Sequence, residues 1–182
     1  MIVRAAVASD AAAVARVHAR SWRVAYRGLV PDAYLDALSD DTWRERWEHG
    51  LATPRDPRTV TSVLLDGDRA DGELVGFARV GPTRDDDLAP QGLWELYAIY
   101  LAPSAWGLGG GRQLLRATLA SVPDGVPATA LWVLAGNGRG RRFYERQGYV
   151  ADGAAKTIDL GGAALDEVRY RRPSASSTTM GR

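Results

Sequence analysis

Cysteine is absent from the 182-residue chain, which excludes disulfides, thiolate metal sites and a cysteine nucleophile, and with the last an acyl-cysteine intermediate. No apolar stretch approaches the length that crosses a bilayer, and Met1 to Val7 lacks the apolar segment of a secretion signal. The chain therefore reads as cytoplasmic and soluble, with no membrane partner. Charge of one sign is missing too. The 23 lysines and arginines stand against 22 aspartates and glutamates, and no basic run interleaves with aromatic residues, so no nucleic-acid partner is expected. Internal repeats are absent, and 182 residues at 46% hydrophobic suit one buried core rather than two domains. A small-molecule partner is the default.

The elements that are present alternate in type. Ile2 to Val7 reads as a strand, Ser9-Asp10 as an N-cap, and the alanine-rich stretch to about Tyr26 as a helix carrying Val14, Val17 and Val24. Asp32 to Leu38 and Asp41 to His49 read as short helices, the second with Trp43 and Trp47 four residues apart. Thr59 to Leu65, Leu74 to Val80 and Trp94 to Leu101 are β-branched or aromatic runs that predict an antiparallel meander. A glycine-rich loop then leads into a helix at Gln113 to Ala120, an apolar strand at Ala130 to Leu134, and a helix capped by Asn137 that stops at Gly148. Tyr149 onward and Leu165 to Arg171 close the body around Gly161-Gly162. This gives a domain over residues 1 to 172 and a Ser/Thr-rich tail, 173 to 182, expected to be disordered.

Trp106-Gly107-Leu108-Gly109-Gly110-Gly111 lies between a strand and a helix, where backbone amides without Cβ atoms in the way can approach an anion and the helix terminus adds positive potential. A Walker A loop requires Lys and then Ser or Thr after the last glycine, but Arg112 and Gln113 follow. The dinucleotide fingerprint requires a further glycine where Arg112 or Leu114 stands. Both common phosphate loops are excluded.

The run Glu95-Leu96-Tyr97-Ala98-Ile99-Tyr100-Leu101-Ala102-Pro103, the glycine loop and Arg112-Gln113-Leu114-Leu115 resemble the fourth strand and the acetyl-CoA signature (Gln/Arg-x-x-Gly-x-Gly/Ala) of the GCN5-related N-acetyltransferase (GNAT) superfamily. Asn137 followed by Phe143-Tyr144-Glu145-Arg146-Gln147-Gly148-Tyr149 is similar to a second block of that family. The resemblance spans about residues 2 to 171 and implies an α/β (α+β) fold: a mixed, mostly antiparallel six- to seven-stranded sheet flanked by helices, with strands four and five splayed. It also implies acetyl-CoA as cosubstrate, with no metal. The pantetheine would lie along Ile99, Tyr100 and Leu101, the amide of Tyr100 or Ile99 holding the thioester oxygen. The pyrophosphate would meet the amides of Gly107 to Gly111, with Arg112 compensating for Trp106 and Leu108, which stand where the signature favours basic or glutamine side chains. Asn137 is either a cofactor contact or only a helix cap.

By the same resemblance Tyr144 is the general acid for the leaving thiolate. Glu95, eleven residues before Trp106, is the first choice of general base, and equally a cross-strand partner for an arginine. Trp22 and Tyr26 are candidates to line the acceptor pocket, while His18 and His49 read as structural or surface residues and Asp85-Asp86-Asp87 as a solvated acidic loop. The expected activity is acetyl transfer by direct attack in a ternary complex, from acetyl-CoA to the amine of a small molecule or of a peptide. The alternative is a non-catalytic acetyl-CoA-binding regulatory module. Family members are often dimers, and a strand edge near the C-terminus offers a homodimer interface.

Overall fold

Val14, Ala15, Val17 and His18 return to one side of the first helix every three or four residues, and that side is buried. The computed structural model describes residues 1–54, 56–68 and 72–174. Among them the chain runs β1 (Ile2–Ala5), α1 (Ala11–Ala25), α2 (Asp32–Asp36), α3 (Asp40–Ala52), β2 (Val60–Leu65), β3 (Leu74–Pro82), β4 (Trp94–Leu101), α4 (Gly110–Leu119), β5 (Ala128–Leu134), α5 (Gly138–Arg146), β6 (Val150–Leu160) and β7 (Ala163–Pro173). The strands form one seven-stranded sheet in the order β1-β2-β3-β4-β5-β7-β6, antiparallel except between β4 and β5.

Each face of the sheet buries its own cluster. Leu64, Leu96, Leu114, Leu115, Leu131 and Tyr170 pack on the face that α4 covers, with Phe143 and Tyr144 of α5 against them. Val14, Val17, Trp47, Val63 and Phe77 pack on the face covered by α1 and α3. Burying a leucine such as Leu114 stabilises by about 2 kcal/mol.

Pairing of β3 with β4 slips by one residue between Arg79 and Val80, so Tyr97 has no partner and forms a bulge. Gly81 makes room for it, since a Cβ there would stand 2.7 Å from the Tyr97 hydroxyl. The bulge reverses the alternation of side chains along β4. Leu96 and Ile99, three residues apart, therefore share one core cluster, which leaves Glu95 and Tyr100 together on the opposite face.

Several expected boundaries shift for identifiable reasons. β1 ends at Ala5 because Asp10 draws the chain into a short turn: its carboxylate accepts the Val7 amide at 2.8 Å and Arg4 at 2.6 and 2.8 Å, and does not cap α1 with its side chain. The last strand outruns the expected domain end at 172. Pro173 pairs with Ala128, and the Ser174 amide donates to the Pro127 carbonyl at 3.0 Å. The remainder of the expected tail, from residue 175, lies outside the described residues. The acidic loop is not simply solvated, because Asp85 and Asp87 hold the buried Arg169.

Candidate functional site

β4 and β5 pair only at Trp94–Thr129 and Glu95–Ala130 and then part, opening a slot of about 770 Å³. The ladder to β3 decides which groups of β4 face it. The Ala102 amide donates to the Val75 carbonyl at 2.7 Å, so by the alternation of an antiparallel ladder Tyr100 also directs its amide to β3, while Ile99 and Leu101 present theirs to the slot. Of the two amides that the resemblance offers for the thioester oxygen, that of Tyr100 is turned to β3 and that of Ile99 to the slot. The Leu101 carbonyl, on the same edge, accepts Ser21 Oγ at 2.7 Å and Trp106 Nε1 at 2.9 Å.

One end of the slot is built by the glycine loop, and its glycines do different things. Gly107 and Gly109 have φ of 79° and 85°, the left-handed region in which a Cβ is strained. Gly110 begins α4, and a Cβ there would meet Leu64 at 2.8 Å. Gly107, Gly109, Gly111, Trp106 and Arg112 line the slot; the exposed Leu108 side chain and the packed Gly110 do not. The first amides of α4 have no partner within the helix and offer donors to an anion. Asn137 accepts the Gly140 amide at 2.9 Å, so it is the cap of α5, and it also lines the slot.

Arg139, Arg142 and Arg146 line the same end and were not singled out from the sequence. Arg139 lies over the Trp106 ring at 3.8 Å, so a cation stands beside the position where the signature has a basic side chain and this chain has tryptophan. A signal was available. Gly138-Arg139-Gly140-Arg141-Arg142 puts two arginines in the first turn of a helix and a third directly after it, against the helix dipole, an arrangement that a bound anion compensates. Arg141 is used internally, donating to the Tyr170 hydroxyl and the Ala135 carbonyl.

The other end is aromatic. Trp22, Tyr26, Tyr100 and Trp132 line it, the Tyr26 and Tyr100 hydroxyls 3.3 Å apart. Burial raises both phenols above their ordinary pKa, with Tyr100 raising Tyr26 further while the bond to Tyr26 partly offsets the rise at Tyr100, and both stay protonated. Trp22 Nε1 is buried without an acceptor among the described residues. Tyr144 lies between the two ends beside Phe143 and Tyr149, and burial first, then Tyr100 and Tyr149, push its phenol upward as well.

Glu95 is 2% exposed. One of its oxygens accepts the Arg84 amide at 3.0 Å and Nε at 3.2 Å, and the other accepts the second guanidinium nitrogen. Of the two readings of Glu95, this geometry favours the arginine partner. His18 is buried away from the slot, its Nδ1 accepting Trp47 Nε1 at 3.2 Å, while His49 is exposed. Glu167 lines the slot and went unnoticed in the sequence, where it is one acidic residue in an alternating strand.

Among the described residues no cluster of His, Cys, Asp and Glu is arranged to hold a metal, and no helix is long and apolar enough to cross a membrane. The model of the acetyltransferase (GNAT) family matches residues 20–149. The chain is 30% identical over 177 residues to the uncharacterised N-acetyltransferase YuaI of Bacillus subtilis (strain 168), covering 96% of this chain and 94% of that protein. Among solved structures, the ribosomal-protein-alanine N-acetyltransferase of Brucella melitensis superposes with a TM-score of 0.71 at 22% identity, over 96% of this chain and 100% of the other. The PaiA N-acetyltransferase of Thermoplasma acidophilum, solved with coenzyme A, gives 0.63 at 20% identity, over 95% and 98%.

Proposed function

The chain belongs to the acetyltransferase (GNAT) family, and from that premise we propose that it moves an acetyl group from acetyl-CoA to the amine of a small molecule bound at the aromatic end of the slot. The observation that carries this reading is the meeting of two unlike environments at the parted edge of β4. Backbone donors and arginines stand on one side, and aromatics packed edge-on and tilted against one another on the other.

Acetyl-CoA supplies the activated thioester. Ile99 and Leu101 bind the pantetheine as an added strand would, the Ile99 amide meeting the thioester oxygen where negative charge develops. The amides of Gly107 to Gly111 and Arg112 meet the pyrophosphate, with Arg139 on Trp106 supplying the cation that the loop lacks. Tyr144, held protonated by its buried site, donates to the departing sulfur. The orphaned Trp22 N–H, which costs about 1 to 3 kcal/mol when unpaired, is met by an acceptor atom of the substrate.

The reading is tested by thermal melting with acetyl-CoA and by thiol release against a panel of amines. Acetyl-CoA is expected to raise the melting temperature, and at least one amine to release thiol. Stabilisation without turnover on any amine would instead favour a regulatory module. Tyr144→Phe is expected to lower kcat about 100-fold while leaving KM for acetyl-CoA within about threefold. Loss of affinity without loss of kcat would remove Tyr144 from the chemistry.

Arg139→Gln is expected to raise KM for acetyl-CoA about tenfold at unchanged kcat, the value of one charge-assisted contact. The penalty should shrink as ionic strength rises. A KM unchanged at low salt would place Arg139 outside the cofactor site.

A further inference from the structure

Direct attack requires a neutral amine, and an alkylammonium must lose a proton before its nitrogen can reach a thioester carbon. Glu95 also lines the slot, but both of its oxygens are already engaged by Arg84, through the guanidinium and the backbone amide. Glu167 is differently situated. It projects from β7 opposite Leu134 of β5, on the same sheet face as Trp132 and Arg169, and lines the slot together with Tyr26 and Tyr100. Its side chain is 18% exposed, and among the described residues its ion-pair partner is Lys156, at 3.5 Å. Lys156 is 43% exposed and rests on the Trp132 ring, so it can move into solvent at little cost. On the same face of β7, Arg169 is fully occupied by Asp85, Asp87 and Asp152, and Arg171, two residues further along, reaches Gln91.

Resting on the acetyl-transfer reading above, we propose that Glu167 is the group that receives the acceptor's ammonium and takes its proton, Lys156 being the counter-ion that the substrate displaces. The matching substrate is a monocationic primary amine on an apolar body, seated among Trp22, Tyr26, Tyr100 and Trp132. One proton passes from the ammonium to the Glu167 carboxylate. The nitrogen lone pair then forms the C–N bond, the C–S bond breaks, and the thiolate leaves with the proton of Tyr144. Of the two protons that nitrogen gives up, one restores Tyr144 and the other leaves through Glu167 to solvent. Among the described residues the charged and titratable groups on the side of Glu167 are Lys156, Tyr26, Tyr100 and, two residues along β7, Arg169, and its negative charge contributes to holding both phenols protonated.

The test compares Glu167→Gln, Glu167→Asp, Glu95→Gln and Lys156→Met, by thiol release over a pH series with small monoamines, amino acids and a short peptide as acceptors. Glu167→Gln is expected to lower kcat/KM for the amine about 100-fold, to abolish the acid limb of the wild-type pH profile, and to leave the KM for acetyl-CoA within about twofold. Glu167→Asp should recover part of the loss. Lys156→Met should lower the amine KM a few fold by removing the competing ion, an effect that a merely structural ion pair would not produce.

The proposal is overturned if Glu167→Gln keeps turnover and the pH profile, whatever Glu95→Gln does, or if the peptide is the best acceptor. A wild-type protein that is stabilised by acetyl-CoA but acetylates nothing in the panel overturns the activity itself. That outcome is read from the wild type alone, before any variant.

Discussion

Arg169→Met is expected to cost about 4 kcal/mol of stability, or about 10 °C in melting temperature, with no new contact able to offset it. Arg169 is 7% exposed and holds three carboxylates. Its Nε donates to Asp152 at 2.8 Å, and its terminal nitrogens donate to Asp87 at 2.8 Å twice and to Asp85 at 3.2 Å. Asp85 and Asp152 have side chains only 17% and 15% exposed. Without the guanidinium, Asp152 and Asp85 would lose their cation, Asp85 keeping only the Trp132 N–H, and breaking a buried pair from one side costs more than the pair itself contributes. These carboxylates hold Arg169 well above its ordinary pKa, Asp87 most of all, and Arg169 in turn holds Asp87 below the usual carboxylate range. The damage should also reach the slot, since Asp85 accepts Trp132 Nε1 at 2.9 and 3.1 Å and so fixes a residue of its wall. Urea unfolding of the variant measures the loss, and amine KM measured well below the new melting temperature reports the movement of Trp132. A variant within about 1 kcal/mol of wild type would show that water satisfies the cluster.

The sequence reports local chemistry well and distant pairing poorly, and the residues divide along that line. β4 is read to the residue, and the glycine loop and the Asn137-to-Tyr149 segment fall where expected, because periodicity, caps and turns are set by neighbours a few positions apart. Gly161-Gly162 likewise closes a two-residue hairpin, with Leu160 paired to Ala163 and both glycines at positive φ. The bulge at Tyr97 leaves no comparable mark. It follows from how β3 and β4 twist together, and it is what places Glu95 and Tyr100 on one face. The clamp of Arg84 on Glu95, the grip of the 85–87 loop on Arg169 and the arrival of Glu167 in the slot all depend on tertiary placement. In the last two cases β7 is inserted between β5 and β6, out of chain order. Arg139 is intermediate: its oddity is local, three arginines within the first five residues of a helix, but its meaning depends on Trp106 lying beneath it.

Acidification from about pH 7 to about pH 5 is expected to cost about 2 kcal/mol through His18 alone, and about 3 kcal/mol by about pH 4. His18 lies among Trp43, Trp47, Phe77 and Tyr100, with ring centroids 3.9 to 6.0 Å away. Its Nδ1 must be unprotonated to accept Trp47 Nε1. Burial, and then the positive charge of Arg46, lower its pKa from 6.5 to about 3. A histidine whose folded pKa is depressed contributes its full stability above 6.5 and loses it progressively as pH falls toward the folded value, because there the unfolded chain binds the proton that the folded one refuses. The paired carboxylates act in a lower window. Asp10, held down chiefly by Arg4, yields its contribution only below its ordinary value of 3.8. Urea unfolding at a series of pH values separates the two, and His18→Gln should flatten the slope between about pH 6.5 and about pH 4 whatever its effect at neutral pH. Unchanged slopes in the variant would assign the acid sensitivity to another group. Because the folded chain keeps His18 neutral down to about pH 3, its stacking on Tyr100 at 4.7 Å persists for as long as the fold does, so His18 should cause no rise in amine KM above the pH of the unfolding midpoint.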